Sequence, residues 1–371
     1  MTSTFKLTAP RTLLLLAALA LDACGNLTEG SVDQPIGALT LLSTTSSTQM
    51  PVTAPITMES TSGTDPIGPV TIVNIPLNSS GLAIAPDGTV WTGTGSLTIP
   101  GPGASFFHVA SDDTVTSIPC PDNVFPGAPI SDGIGALWSM TENAPGPGLV
   151  RFDLGSQQFQ TYMAPNPVSR PTGMVSDQQG NLWLSGGDSD VVGRVDATHH
   201  VYVVANENAP VPLTVTTGGL AVSSDGQVFV SDYAQGRIGR VQGGKFVWTD
   251  LGGDLNAPSG LTVGADDAVW FVSLGHPNEV GRVDRDGSLQ AFPLPDWPTT
   301  LSDKSQSAIT RGPDGSFWFT LPERQQLGRV DANGNLSFIT LTDTIYPGTL
   351  AFDPAGRLWF SYDGGIARVE F

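Results

Sequence analysis

The sequence predicts an all-β fold: a seven-bladed β-propeller of four-stranded blades, its ring closed by an N-terminal strand. Three observations carry this. An aromatic anchor follows a tight turn again and again, at Trp91, Trp138, Trp183, Phe229, Trp270, Trp318 and Trp359. Neighbouring anchors lie 47, 45, 46, 41, 48 and 41 residues apart. A period in the forties with strand texture is that of a propeller blade, so seven anchors give seven blades. The third observation is the punctuation: 44 Gly and 30 Pro suit many tight turns between short strands. Length alone, 371 residues, suggests two or three domains, but blades stack into one closed domain.

Each repeat reads as four strands. The first is an apolar strand such as Gly219-Leu220-Ala221-Val222-Ser223. A turn such as Pro86-Asp87-Gly88 or Pro313-Asp314-Gly315 follows, with Gly supplying positive φ. The second strand carries the anchor, whose large ring is expected to fill the gap between blades. The third reads Val192-Gly193-Arg194-Val195-Asp196, Ile238-Gly239-Arg240-Val241, Val280-Gly281-Arg282-Val283-Asp284, Leu327-Gly328-Arg329-Val330-Asp331 and Ile366-Ala367-Arg368-Val369-Glu370. Leu149-Val150-Arg151-Phe152 and Phe107-His108-Val109 are looser copies. Gly before Arg predicts close backbone approach where neighbouring sheets pack. The Arg is expected to be structural, its head on backbone carbonyls or the following Asp, because a site residue would not recur in nearly every blade. The fourth strand alternates and ends at Pro, as in Ser288-Leu289-Gln290-Ala291-Phe292-Pro293. The last repeat has three strands of its own. Val70-Thr71-Ile72-Val73-Asn74-Ile75-Pro76-Leu77 has fourth-strand texture and is expected to pair with residues 365–370.

Ahead of the propeller, Lys6 and Arg11 precede the apolar run Leu13–Leu21, which is too short to span a bilayer as a mature helix. It ends in Leu21-Asp22-Ala23-Cys24, which resembles the lipobox of bacterial lipoproteins. That resemblance implies a lipoprotein-type signal peptide over 1–24 and a lipid on Cys24. The expected location is then the exported face of a bacterial cell envelope, membrane-anchored, or the medium where Cys24 carries no lipid. Residues 25–69 are rich in Ser, Thr and Pro and read as a flexible tether, leaving 70–371 as the propeller. Cys120 has no partner once Cys24 is lipidated, and reads as a partly buried bystander.

The 35 Asp and Glu outnumber the 16 Lys and Arg, for a net charge of −19. Phosphate backbones and anionic lipid surfaces are repelled, so no nucleic acid is expected and the membrane is met only through Cys24. A monomer is expected.

Stretches such as Pro313-Asp314-Gly315-Ser316-Phe317-Trp318-Phe319-Thr320, alternating with Leu327-Gly328-Arg329-Val330, resemble the virginiamycin B lyase (streptogramin lyase) family of seven-bladed propellers. The resemblance covers residues 70–371. It implies a non-hydrolytic elimination that uses Mg²⁺, with His just before the first strand of certain blades and Glu just after Trp-Phe-Thr. The His position, eleven residues before each anchor, holds Ser80, Gly127, Thr172, Gly218, Ser259, Ser307 and Gly348. The Glu position, three after, holds Thr94, Thr141, Gly186, Asp232, Ser273, Leu321 and Tyr362. The lyase activity is therefore not carried over with the fold, and whether the chain is an enzyme stays open.

Loops joining strands two and three, and strand four to the next blade, form one rim around the channel. The candidate ligand-binding residues there are Asp188, Asp232, Tyr233, His276, Glu323, Tyr362 and Asp363, among Asp190, Glu279, Arg324, Tyr346, Trp297 and Lys304. Aromatics mixed with carboxylates suit a small molecule, a glycan or an envelope protein. The alternative is a divergent metal-dependent lyase, or a lactonase resembling gluconolactonase, with Mg²⁺ or Ca²⁺ held by residues such as Glu142, Asn143, Asp232, Glu323 and Asp363. Outside that alternative no cofactor is predicted. Asp284-Arg285-Asp286-Gly287 reads as a hairpin turn rather than a Ca²⁺ loop. His108 reads as structural, and His199-His200 as a turn on the opposite face.

Overall fold

The computed structural model describes residues 35–47, 50–51, 60–61, 70–75, 81–94, 104–122, 124, 126–141, 148–166, 168, 171–186, 191–206, 219–233, 235–252, 257–273, 278–295, 307–341, 345–369 and 371. They form seven antiparallel sheets. Blades 1 to 6 run over residues 82–119, 130–163, 171–206, 220–250, 258–293 and 309–340. Blade 7 runs over 350–369 and takes its fourth strand from Val70–Asn74. Gly365 pairs with Asn74 and Val369 with Val70, which is the expected closure. The innermost strand of each blade touches that of the next, and blade 7 touches blade 1 through Leu82 N–H, which donates to Thr349 Oγ1 at 3.0 Å.

Each anchor packs onto the following blade. Trp91 clusters with Leu137, Phe152 and Phe159 of blade 2, and Trp359 with Val90 and Phe107 of blade 1. Seven apolar clusters thus sit at seven blade boundaries, where large flat rings bury the most area. The glycine before the recurrent Arg has a more local reason than expected. A Cβ on Gly281 would lie 2.1 Å from the Phe271 ring, and one on Gly328 would lie 2.2 Å from Phe319. At these two positions the glycine makes room for a ring of its own blade, whereas a Cβ on Gly193 would meet Val168, between blades 2 and 3, at 2.6 Å.

The tether expectation does not describe residues 37–46, 50–51 and 60–61, and the rest of 25–69 lies largely outside the described residues. Gly37–Ala38 adds a fifth strand to blade 3, pairing with Val201 and His200. Thr40–Ser46 lies along the outer strand of blade 2, from Thr40↔Met163 to Ser46↔Gln158. Met50–Pro51 pairs with blade 1, and Ser60–Thr61 with the closing strand of blade 7. The segment is a strap around four successive blade edges. Its Thr and Ser residues take extended backbone readily, and the edges offer unpaired N–H and C=O groups. Residues 1–34, with the signal segment and Cys24, lie outside the described residues.

Candidate functional site

The mouth of the channel is built by the strand two-to-three connections. Asp232 and Tyr362 end the second strands of blades 4 and 7, Tyr233 and Asp363 come directly after them, and Glu323 and Arg324 follow the second strand of blade 6. These residues share one face of the ring but come from three blades. Asp188, Asp190, His276, Trp297, Lys304, Glu142 and Asn143 lie outside the described residues.

Asp232 is 1% exposed. Its Oδ2 accepts from Arg237 Nε at 2.9 Å, and its Oδ1 from the Gln235 N–H at 3.2 Å. The Arg237 guanidinium in turn sits 3.9 Å above the Trp248 ring. A carboxylate taken out of water needs such a counter-charge, and here it is spent on holding the loop. Tyr362 is buried in the blade 6–blade 7 cluster, its ring edge against Gly364. Arg324 Nη1 reaches outward to the Pro295 carbonyl at 2.5 Å. Tyr233 and Asp363 are exposed, and Glu323 and Tyr346 are half-buried.

The positions that the lyase resemblance assigns to His and Glu hold structural hydrogen bonds. Ser259 Oγ donates to the Ser307 carbonyl of the next blade at 3.0 Å. Gly127 N–H donates to the Met140 carbonyl, and Gly348 N–H to that of Ser361. Thr94 Oγ1 bridges Ser105, and Leu321 is fully buried. Mg²⁺ takes several oxygens, with carboxylates among them. Asp232 is the sole acidic residue of that set, and it already carries Arg237. The donor set does not fit the ion. Among the described residues no group of three His, Cys, Asp or Glu could hold a metal.

The recurrent Arg has a role that sequence reasoning only half found. It pairs with the following Asp, as in Arg151–Asp153 at 2.9 Å and Arg282–Asp284 at 2.6 Å. It also stacks over the anchor: Arg151 on Trp138, Arg194 on Trp183, Arg282 on Trp270, Arg329 on Trp318 and Arg368 on Trp359, all 5.5–6.0 Å from the ring centroid. His108 takes that place in blade 1, stacked on Trp91 at 4.8 Å. Burial pushes its imidazole pKa down. His199 sits in the turn between the outer strands of blade 3, edge-on to Trp138 and Tyr162. Cys120 is half-buried beside the blade 1 cluster, and burial pushes its thiol up, away from nucleophilic chemistry.

A model of the virginiamycin B lyase family matches residues 67–369. A virginiamycin B lyase of Nocardia farcinica (strain IFM 10152) is 35% identical over 104 residues, which are 28% of this chain and 33% of that protein. The chain thus matches about a third of that relative's length. Among solved structures, a streptogramin B lyase superposes with a TM-score of 0.66 at 22% identity, over 80% of this chain and 95% of that one. A catalytically inactive virginiamycin B lyase from Staphylococcus aureus with quinupristin gives 0.66 at 20% identity, over 81% and 99%. At these identities the superpositions establish the fold.

Proposed function

The chain belongs to the virginiamycin B lyase family, and from that premise we propose that it works as a binding module rather than a lyase, through the rim of its channel mouth. The observation that carries this is the Asp232–Arg237 pair. The one acid at a family catalytic position is neutralised and buried, and serine, threonine and glycine at neighbouring positions hold adjacent strands together. A general base and a metal ligand are what an elimination needs. Exposed Tyr233 and Asp363, with Glu323 and Tyr346, offer aromatic and carboxylate groups to a small molecule, a glycan or an envelope protein.

Export and a lipid on Cys24 complete the proposal, supported by the Lys6/Arg11 and Leu13–Leu21 pattern. Between Cys24 and the first paired strand, Gly37–Ala38, residues 25–35 could span at most about 35–40 Å. The propeller is then held close to its membrane. Replacing Cys24 by Ala should release the chain from membranes into the soluble exported fraction. Retention there would sink the anchor.

Calorimetric titration of the full chain with Mg²⁺ and Ca²⁺, followed by incubation with quinupristin and mass spectrometry, tests the binding-module reading. We expect no saturable ion site and intact quinupristin. One ion bound per chain, or ring opening, would establish the metal-dependent alternative.

A further inference from the structure

We infer that the boundary between blades 4 and 5 carries a second ligand site, on the face opposite the mouth, for a small zwitterion with an apolar side chain: an α-amino acid or a short peptide. The site arises from a local break in the repeat. At the other six boundaries the anchor is Trp; at this one it is Phe229. Across three neighbouring strands, each blade lines up an anchor, an Arg (His108 in blade 1) and a third residue, which is polar in the other six: Thr116, Gln160, Tyr202, Gln290, Ser337 and Thr71. Blade 2 has Trp138, Arg151 and Gln160, and blade 5 has Trp270, Arg282 and Gln290. In both, the Arg stacks on the Trp and hydrogen-bonds the Gln, at 3.1 and 3.2 Å. Blade 4 has Phe229, Arg240 and Val247. The indole is reduced to a phenyl ring, and the polar third residue is lost.

The consequence is space and unspent charge. A crevice of about 350 Å³ opens between Phe229, Ile238 and Val247 on one blade and Val283 to Gly287 on the other. That volume is at the lower end for small-molecule sites. Val247 is 44% exposed, an apolar wall left open to water. Arg285 of blade 5 bridges Asp225 and Asp267, closing one side. Asp284 is paired with Arg282.

Two opposite charges, one on each wall, have no ion-pair partner among the described residues. Arg240 Nη2 hydrogen-bonds only the neutral Gln242 Oε1, at 3.1 Å, and makes no ion pair among the described residues. Asp286 accepts from Ser288 alone, through its N–H and its hydroxyl, and likewise has no cationic partner among the described residues. A guanidinium on one wall selects a carboxylate, and a carboxylate on the other selects an ammonium. Phe229 and Val247 between them take an apolar side chain. The zwitterion follows from that order of charges.

Titration with leucyl-leucine by calorimetry and saturation-transfer NMR tests this. We expect saturable one-to-one binding, loss of at least tenfold in affinity in Arg240→Gln, and loss of detectable binding in Phe229→Trp, which refills the crevice. N-acetyl leucyl-leucine amide, with both charges removed, should not bind. The proposal is overturned by absence of saturable binding, by equal binding of the capped peptide, or by unchanged affinity in folded Arg240→Gln. Arg240→Gln changes a half-buried side chain outside the core, so it keeps the test decisive if Phe229→Trp does not fold.

Discussion

At the residue scale the blades use two versions of one turn. Blades 2, 3 and 7 carry Asp six residues before the anchor, at Asp132, Asp177 and Asp353. There one carboxylate oxygen accepts turn N–H groups and the other accepts the indole N–H, at 2.8 Å for Asp353 and Trp359. Blades 1, 4, 5 and 6 carry Asp four residues before, at Asp87, Asp225, Asp266 and Asp314. Asp266 and Asp314 take the recurrent Arg instead, each at 2.7 Å. Asp353→Ala leaves the buried Trp359 indole N–H unpaired, so a loss of about 1–3 kcal/mol is expected. Thermal melts of the two proteins check it, and equal midpoints would refute it. Burial raises the Asp353 pKa, but the Trp359 indole and the Arg357 N–H and guanidinium outweigh it and hold the carboxyl below its ordinary range. Its stabilising effect is whole above the unfolded pKa, about 3.9, and is lost as pH falls through the lower folded value. The gap in Tm between wild type and Asp353→Ala should therefore narrow as the pH falls below the unfolded pKa.

At the scale of elements, the strap was the part hidden from sequence reasoning. Thr40–Ser46 is exposed on both faces but for one half-buried residue, so no alternation of apolar and polar residues marks it as a strand. Its pairing partner, Gln158–Met163, is some 115 residues away in the chain, and the hydrogen bonds are set by the exposed edge of blade 2. Two local cues existed: Leu39, now buried beside Trp138, and the β-branched threonines. Deleting residues 35–61 should lower Tm by about 5 °C or more while leaving the melt cooperative. Limited proteolysis should find Thr40–Ser46 protected in the full chain. Rapid cleavage there would return the segment to a tether.

The whole molecule depends on ring closure. Blade 7 gains its fourth strand from the other end of the repeat, and Leu358, Phe360 and Val369 share one core with Val70 and Ile72. Deleting residues 70–77 opens blade 7 and bares the edge at Gly365–Val369, so cooperative unfolding should be lost. A normal sharp melt of that truncation would mean the ring closes another way.

Period and turn chemistry alone determined the architecture. Seven anchors, the Gly-Arg strands and the Val70–Asn74 closure were all legible, because each blade repeats the same local physics. The channel-mouth candidates were legible as to face, since loop type decides which end of a blade a residue occupies. Their state was not. Asp232 and Tyr362 look like ligands in one dimension, yet Arg237 and the blade 6–blade 7 core absorb them. The strap and the blade 4–blade 5 crevice were decided only in the tertiary structure. Both rest on edges and gaps between blades, and a gap is a property of two surfaces that no single stretch of sequence contains.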